Sequence, residues 1–121
     1  CPSGTPSVQF SLNIMFELHK QVYIALEKLV EKMCHNPAKL YNITQRGFIR
    51  EGYFADIVLL DPSSETHLTK DIIQSKCGWS AYEGETFHSK ITHTIVNGRI
   101  MYHNGKIINN IPGKRLTFTR P

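Results

Sequence analysis

The sequence is poor in the features that mark specialised protein classes. It has three cysteines and one tryptophan in 121 residues, and Cys1, Cys34 and Cys77 are widely spaced with no CxxC pair. This pattern excludes a disulfide framework and a self-contained zinc module. The chain also lacks an apolar run of the roughly 18 to 20 residues needed to span a membrane, and its first residues lack the layout of a signal peptide. We therefore expect a soluble, cytoplasmic protein with no membrane partner.

Charge of one sign is not concentrated in the chain. The formal net charge is +4, but the 14 Lys and Arg are scattered among 10 Asp and Glu. The basic end at Lys114, Arg115 and Arg120 lacks an RNA-binding motif, so it predicts a solvated tail and no nucleic-acid partner. Hydrophobic residues make up 40% and charged residues 20%, a composition typical of a globular protein that can bury a core.

Helical periodicity dominates the first third. Phe10, Ile14 and Leu18 recur at i, i+4 and i+8, and the same stripe resumes after residue 25. This spacing predicts two helices between residue 7 and about residue 41, with Ser7 as a cap and a boundary near Tyr23. A short third helix over residues 38–41 is expected to follow Asn36 as N-cap and Pro37 at its first position.

The period changes to that of strands after Gly47. Residues 55–60 are apolar on both faces, which predicts a buried strand. Residues 91–96, 99–102 and 106–108 are separated by two Asn-Gly pairs, and Asn-Gly is the preferred sequence of a two-residue hairpin turn. We expect a three-stranded meander there. The long segment 61–90 is expected to hold a helical turn or two within residues 69–75 and to cover other parts of the chain.

The side chains that carry chemistry form no recognisable catalytic pattern. The six histidines include no HxH and no HExxH, and the odd spacing of His88 and His93 places them on opposite sides of a strand, so no metal site is expected. Cys77 and Ser80 lack a nucleophile motif and indicate an ordered loop. Asp56, at a strand start, is expected to be structural and to accept hydrogen bonds from turn amides. Cys34 is expected to pack as a small hydrophobe.

The first residues are a turn-rich stretch without an initiator Met. Gly4 lies in a loop that leads into the first helix, where unshielded backbone amides are suited to bind an anion. Two or three helices with apolar stripes and a few strands do not make a closed two-layer core. We therefore expect an upstream part to be missing and the chain to be the tail of a larger α/β protein.

Four stretches carry a family resemblance: residues 35–41 (HNPAKLY), 52–62 (GYFADIVLLDP), 76–84 (KCGWSAYEG) and 94–102 (TIVNGRIMY). Together they resemble the C-terminal part of dihydroorotases, in the amidohydrolase superfamily. The first, second and fourth recur across the superfamily, whereas the stretch around Trp79 is more particular to dihydroorotases. Ala81 departs from the family, which commonly has Pro there.

The resemblance implies an architecture. Members have a (β/α)8 barrel that holds two metals, flanked by a small β-structure built from both chain ends. Residues 1–46 would then be the last barrel helices, preceded by a remnant of the substrate loop. Residues 47–121 would be the C-terminal part of the flanking β-structure. The missing N-terminal barrel portion is the expected partner of this segment.

The resemblance also implies an activity. Dihydroorotases are zinc-dependent hydrolases that interconvert dihydroorotate and N-carbamoyl-L-aspartate in pyrimidine biosynthesis. Zinc polarises the amide carbonyl and activates a bridging water, while a barrel Asp moves the proton. The family's metal ligands and this Asp have no match here, so the chain alone is expected to be inactive and to bind no stoichiometric zinc. Ser3 and Gly4 match a loop whose backbone contacts the substrate carboxylate.

Other interpretations remain open. The chain is compatible with another cyclic-amide hydrolase, such as an allantoinase or a dihydropyrimidinase. It is also compatible with an inactive homologue that acts as an assembly partner through its apolar helix stripes. Homodimerisation is common in the family and is expected on that ground alone.

Overall fold

The computed structural model describes residues 4–108 and 111–119, and the first third of the chain is helical. A 3-10 turn at Val8–Phe10 leads into α1, Ser11–Lys20. Then α2, Leu26–Val30, continues through a π-helical turn, Glu31–His35, into α3, Asn36–Leu40. The remainder is strand and loop, so the described chain is a mixed helix and sheet structure.

The joint between α1 and α2 confirms the boundary predicted near Tyr23. The helix ends in a Schellman motif: Tyr23 N–H donates to the Leu18 carbonyl, and Val22 N–H donates to the His19 carbonyl, both at 2.9 Å. Val22 occupies the left-handed position with φ +65°. Glycine usually fills this position, because a β-branched residue is strained there.

Two predicted helix caps are wrong. The Ser7 side chain makes no capping hydrogen bond, although its carbonyl accepts a hydrogen bond from Phe10 N–H at 3.2 Å. Asn36 is not an N-cap, because His35 before it already has helical angles. Pro37 has no N–H to donate and its ring crowds the preceding turn. The π-helical turn directly before α3 gives the backbone the extra residue that accommodates this proline.

The strands form two antiparallel sheets. The larger has the order β1-β4-β5-β6, and the smaller pairs β2 with β3. Their bounds are β1 Ile57–Asp61, β2 Thr66–His67, β3 Thr86–Phe87, β4 Lys90–Val96, β5 Arg99–His103 and β6 Lys106–Ile107. The meander from β4 to β6 confirms the prediction, since both residues of each Asn-Gly pair have the positive φ that the tight turn requires.

The strand predicted within residues 55–60 forms as β1, but the prediction that it is buried is wrong. β1 lies at an edge of its sheet, where it pairs with β4. Val58 is 44% exposed and Leu59 is 46% exposed. An apolar pattern on both faces predicts that something covers the strand, but it does not say which part of the chain supplies the cover.

The buried core lies between the first helices and the β2–β3 ribbon. Phe10, Leu68 and Phe87 form it, with the rings of Phe10 and Phe87 stacked 6.2 Å apart. The segment 61–90 therefore covers the start of the helical part, and its predicted helical turn is a 3-10 turn, Lys70–Ile72. Close to this core, the buried Asn13 side chain of α1 donates to Ser89.

Within the described ranges, no helix is long and apolar enough to cross a membrane.

Candidate functional site

The substrate-loop candidates lie at the start of the chain. Ser3 is outside the described residues. Gly4 is exposed, and a Cβ built on it meets no atom within 4 Å. It is followed by a tight turn in which Ser7 N–H donates to the Thr5 carbonyl at 2.9 Å, just before the first helical turn. The backbone at Gly4 is therefore open to solvent and free to approach a ligand closely.

The described residues do not form a metal centre of the family's kind. Among them, no three His, Cys, Asp or Glu side chains are placed to hold one metal ion. The structure separates His88 from His93. His88 Nδ1 lies 3.2 Å from Glu17 Oε2, whereas the His93 ring lies 4.3 Å from the His103 ring, centroid to centroid.

A row of alternating carboxylate and imidazole side chains links α1 to the β2–β3 ribbon. Glu17 accepts a hydrogen bond from the backbone N–H of His88 and also contacts its ring. Glu65 lies 3.8 Å from His88 Nε2 on one side and 3.8 Å from His67 Nε2 on the other. Three of the four side chains are at least half exposed, so each pair contributes little to stability.

Asp56 is structural, as the sequence predicted. Its Oδ1 accepts a hydrogen bond from the backbone N–H of Asn97 at 2.8 Å, and its Oδ2 pairs with Arg46. Arg46 also donates to Asn97 Oδ1 at 2.7 Å and lies over the ring of Phe54, 4.2 Å from its centroid. The carboxylate thus ties the entry of β1 to the β4–β5 turn.

Residues 75–84 form a loop, as predicted, and local hydrogen bonds cross it. The Ser80 hydroxyl is buried and accepts a hydrogen bond from Tyr82 N–H at 3.2 Å, so it serves the turn. Cys77 is exposed, with Ser75 Oγ 3.0 Å from its sulfur. The hydrogen bond from Ser75 lowers the pKa of the Cys77 thiol, followed in importance by a bond involving the Trp79 backbone.

The prediction that Cys34 packs as a core residue is wrong. The residue is exposed on the π-helical turn. The helical stripe does not hold its register through a π turn, because the extra residue rotates the positions that follow. Although the residue as a whole is exposed, neighbouring atoms partly cover its thiol, and this burial raises the pKa of Cys34.

The His93–His103 contact is the feature that sequence reasoning missed. Counting outward from the Asn97-Gly98 turn places His93 opposite Tyr102. An irregularity between Thr94 and Ile95 shifts the register by one residue, so that His93 faces His103. The sequence carries no clear signal of this bulge.

Comparison with known proteins identifies relatives along most of the chain. Residues 4–101 match the model of the Amidohydrolase family. The chain is 40% identical over 104 residues to the dihydroorotase of Clostridioides difficile strain 630, covering 84% of this chain and 24% of that protein. It is 32% identical over 95 residues to the allantoinase of Rubrobacter xylanophilus, covering 78% of this chain and 20% of that protein.

A solved structure agrees with these relationships. The L-hydantoinase (dihydropyrimidinase) of Arthrobacter aurescens superposes with a TM-score of 0.82 and 28% sequence identity, covering 88% of this chain and 24% of that one. The chain spans about a quarter of the length of the curated relatives it matches. From the match over residues 4–101 and the shared fold, the chain belongs to the amidohydrolase family.

Proposed function

We propose that this chain is the C-terminal segment of a dihydroorotase, a cyclic-amide hydrolase that interconverts dihydroorotate and N-carbamoyl-L-aspartate. The observation that carries the proposal is the 40% identity to a dihydroorotase over 104 residues. The stretch around Trp79, which resembles dihydroorotases more than allantoinases, supports the same choice. The free thiols of Cys34 and Cys77 are consistent with the reducing cytoplasm, where this enzyme of pyrimidine biosynthesis would act.

On this proposal, residues 1–46 are the last helices of a (β/α)8 barrel and residues 47–121 belong to the flanking β-structure. Unpartnered apolar surface supports this assignment. On the helical side, Leu40 is 74% exposed and Tyr41 is 64% exposed. On the sheet side, β1 exposes apolar residues on both faces. Burying each such side chain is worth roughly 1.5 to 3 kcal/mol, so a larger protein would gain from covering them.

The catalytic zinc of such an enzyme would be held elsewhere. The described residues do not fit a zinc pair, since no three of their metal-ligating side chains converge. The ligands and the catalytic Asp would therefore lie outside the residues that the structure describes. The chain by itself is expected to be inactive.

The contribution of this chain to substrate binding would come from its start. We assign the backbone amides of Ser3 and Gly4 to the substrate carboxylate, because the resemblance matches both residues to the substrate loop and the backbone at Gly4 is open to a ligand. In the complete enzyme, Gly4→Val is expected to raise KM for dihydroorotate about tenfold with little change in kcat, because it removes binding that ground state and transition state share. Gly113→Val, at another open glycine, is the matched control and is expected to leave KM unchanged.

The deciding experiment is a substrate panel on the complete gene product: dihydroorotate, allantoin and dihydrouracil. We expect kcat/KM for dihydroorotate to exceed the others by at least about 100-fold, because a site built for the carboxylate leaves polar groups unpaired when the substrate lacks it. Preferential hydrolysis of allantoin or dihydrouracil would overturn the proposal.

Two alternatives have specific support. The 32% identity to an allantoinase and the superposition on a hydantoinase favour another cyclic-amide hydrolase as the second candidate. The exposed apolar surface also fits an inactive homologue that assembles with a partner. A complete gene product that turns over none of the three substrates, even with zinc added, would favour this last alternative.

A further inference from the structure

Two histidines meet on one face of the larger sheet. His93 of β4 and His103 of β5 are direct cross-strand partners, and their ring centroids lie 4.3 Å apart with an interplanar angle of 33°. The next cross-strand pair, Thr92 and Asn104, is joined by a hydrogen bond from Asn104 N–H to the Thr92 carbonyl at 2.9 Å. His93 and His103 therefore occupy a non-hydrogen-bonded position, where facing side chains come closest.

From this geometry we propose that His93 and His103 form a binding site for a divalent transition-metal ion that prefers imidazole, with Cu²⁺ bound most tightly. Two imidazole nitrogens on one ion at about 2.0 to 2.1 Å lie roughly 3 Å apart. Rings with centroids 4.3 Å apart reach this separation by small rotations of their side chains. Water would fill the remaining coordination positions, since His103 is exposed.

Each ring has one polar neighbour that can orient it toward a metal ion. His93 Nδ1 lies 3.1 Å from Thr92 Oγ1, which leaves Nε2 for the ion. His103 Nε2 lies 3.1 Å from the Asn104 side-chain amide. When the Asn104 amide rotates by 180°, its oxygen accepts a hydrogen bond from His103 Nε2–H, and Nδ1 is left as the metal ligand. A metal-binding imidazole commonly donates its second N–H to an oxygen in this way.

The residues that face the two histidines from the neighbouring strands influence the affinity for a metal ion. On the β1 side His93 faces Leu59, and on the β6 side His103 faces Lys106. Leu59 brings no charge, whereas the Lys106 ammonium repels a cation. The site is separate from the row of carboxylates and imidazoles described above, in which the carboxylates already pair with the imidazoles. That row consists of Glu17, His88, Glu65 and His67. The metal site is also independent of the proposed hydrolase activity.

The test is a Cu²⁺ titration of the complete gene product, loaded first with Zn²⁺ and then desalted so that any resident metal sites are filled. Electron paramagnetic resonance counts the nitrogen ligands of each added Cu²⁺. We expect one exchangeable ion with two imidazole nitrogens, weaker binding of Ni²⁺ and Zn²⁺, and none of Mg²⁺. His93→Gln and His103→Gln should each weaken Cu²⁺ binding at least about tenfold and remove the two-nitrogen signal.

Four further variants sharpen the test. Asn104→Asp supplies a carboxylate acceptor for His103, and Lys106→Gln removes the repelling charge, so both should tighten Cu²⁺ binding, the first by about tenfold. His67→Gln is the matched control and should leave binding unchanged. The proposal is overturned if Cu²⁺ binds His93→Gln and His103→Gln as tightly as wild type, or if His88→Gln abolishes the signal instead.

Discussion

Asn13 Nδ2 donates to two atoms of Ser89, the backbone carbonyl at 3.0 Å and the hydroxyl at 3.1 Å, and both residues are buried. The pair joins α1 to the chain between β3 and β4. Thr66 Oγ1 donates to the same Ser89 carbonyl at 2.7 Å. The buried Ser89 carbonyl therefore accepts hydrogen bonds from two side chains, one in α1 and one in β2.

This shared acceptor predicts that two substitutions are not additive. Asn13→Ala and Thr66→Val each leave the Ser89 carbonyl one donor and should each cost about 1 to 3 kcal/mol of unfolding free energy. The double variant leaves the carbonyl without a described donor, so its cost should exceed the sum by about 1 kcal/mol. Urea denaturation measures all three. As a control, Asn13→Ala with the exposed Thr119→Val should be additive, and additivity in the main pair would contradict the shared-acceptor model.

Gly47 is required for a close approach between loop and helix. Its φ is +79°, and an added Cβ would lie 2.4 Å from Ala38 Cβ and 2.7 Å from the Cys34 carbonyl oxygen. Gly47→Ala should cost about 2 to 4 kcal/mol, from backbone strain plus overpacking. Gly52 has φ +77° but open space around it, so Gly52→Ala should cost only about 1 kcal/mol. Equal losses in thermal denaturation would show that the contact with Ala38 does not matter.

Val22 offers a stabilising change. It is 89% exposed with φ +65°, so its side chain packs little and its backbone is strained. Val22→Gly should raise the unfolding free energy by about 0.5 to 1 kcal/mol, because glycine adopts the left-handed end of a Schellman motif without strain. Gln21→Gly, one residue earlier and at a negative φ, should destabilise by a similar amount. A loss of stability with Val22→Gly would refute the strain argument.

The two described thiols should separate by reactivity. The pKa of Cys77 is lowered, first by the hydrogen bond from Ser75, and the pKa of Cys34 is raised by burial. The thiolate is the reactive form, so the pH midpoint of alkylation should lie lower for Cys77 than for Cys34. Peptide mass spectrometry after iodoacetamide pulses measures both rates. Ser75→Ala should move the Cys77 midpoint to higher pH and leave Cys34 unchanged, whereas coincident midpoints would contradict the prediction.

Local turn chemistry made the strands after residue 90 predictable. Asn97-Gly98 and Asn104-Gly105 each supply two residues that tolerate positive φ, and both turns form where the sequence places them. The register between β4 and β5 was not predictable, because the bulge near Thr94 depends on packing and has no local signature.

The helical third was predictable in outline but not in detail. The apolar stripe and the break near Tyr23 follow from local sequence, whereas the π-helical turn before Pro37 does not. The burial of β1 was predicted wrongly, because it depends on what covers the strand. The candidate site could not be worked out from spacing at all. The sequence alone indicates Gly4 as a loop glycine ahead of the first helix, whereas the choice of Ser3 beside it and of a substrate carboxylate as the ligand comes only from the resemblance.

The edge position of β1 has a consequence for handling the protein. Four consecutive apolar residues, Ile57 to Leu60, run along a strand whose second edge has no partner among the described residues. Such a strand is a template for pairing with another chain, and no charge or proline lies within this run of four residues, although Asp61 ends the strand. When the 121 residues are produced alone, we expect this strand to nucleate concentration-dependent aggregation. Replacing Val58 by lysine would be the first change to make for a well-behaved sample.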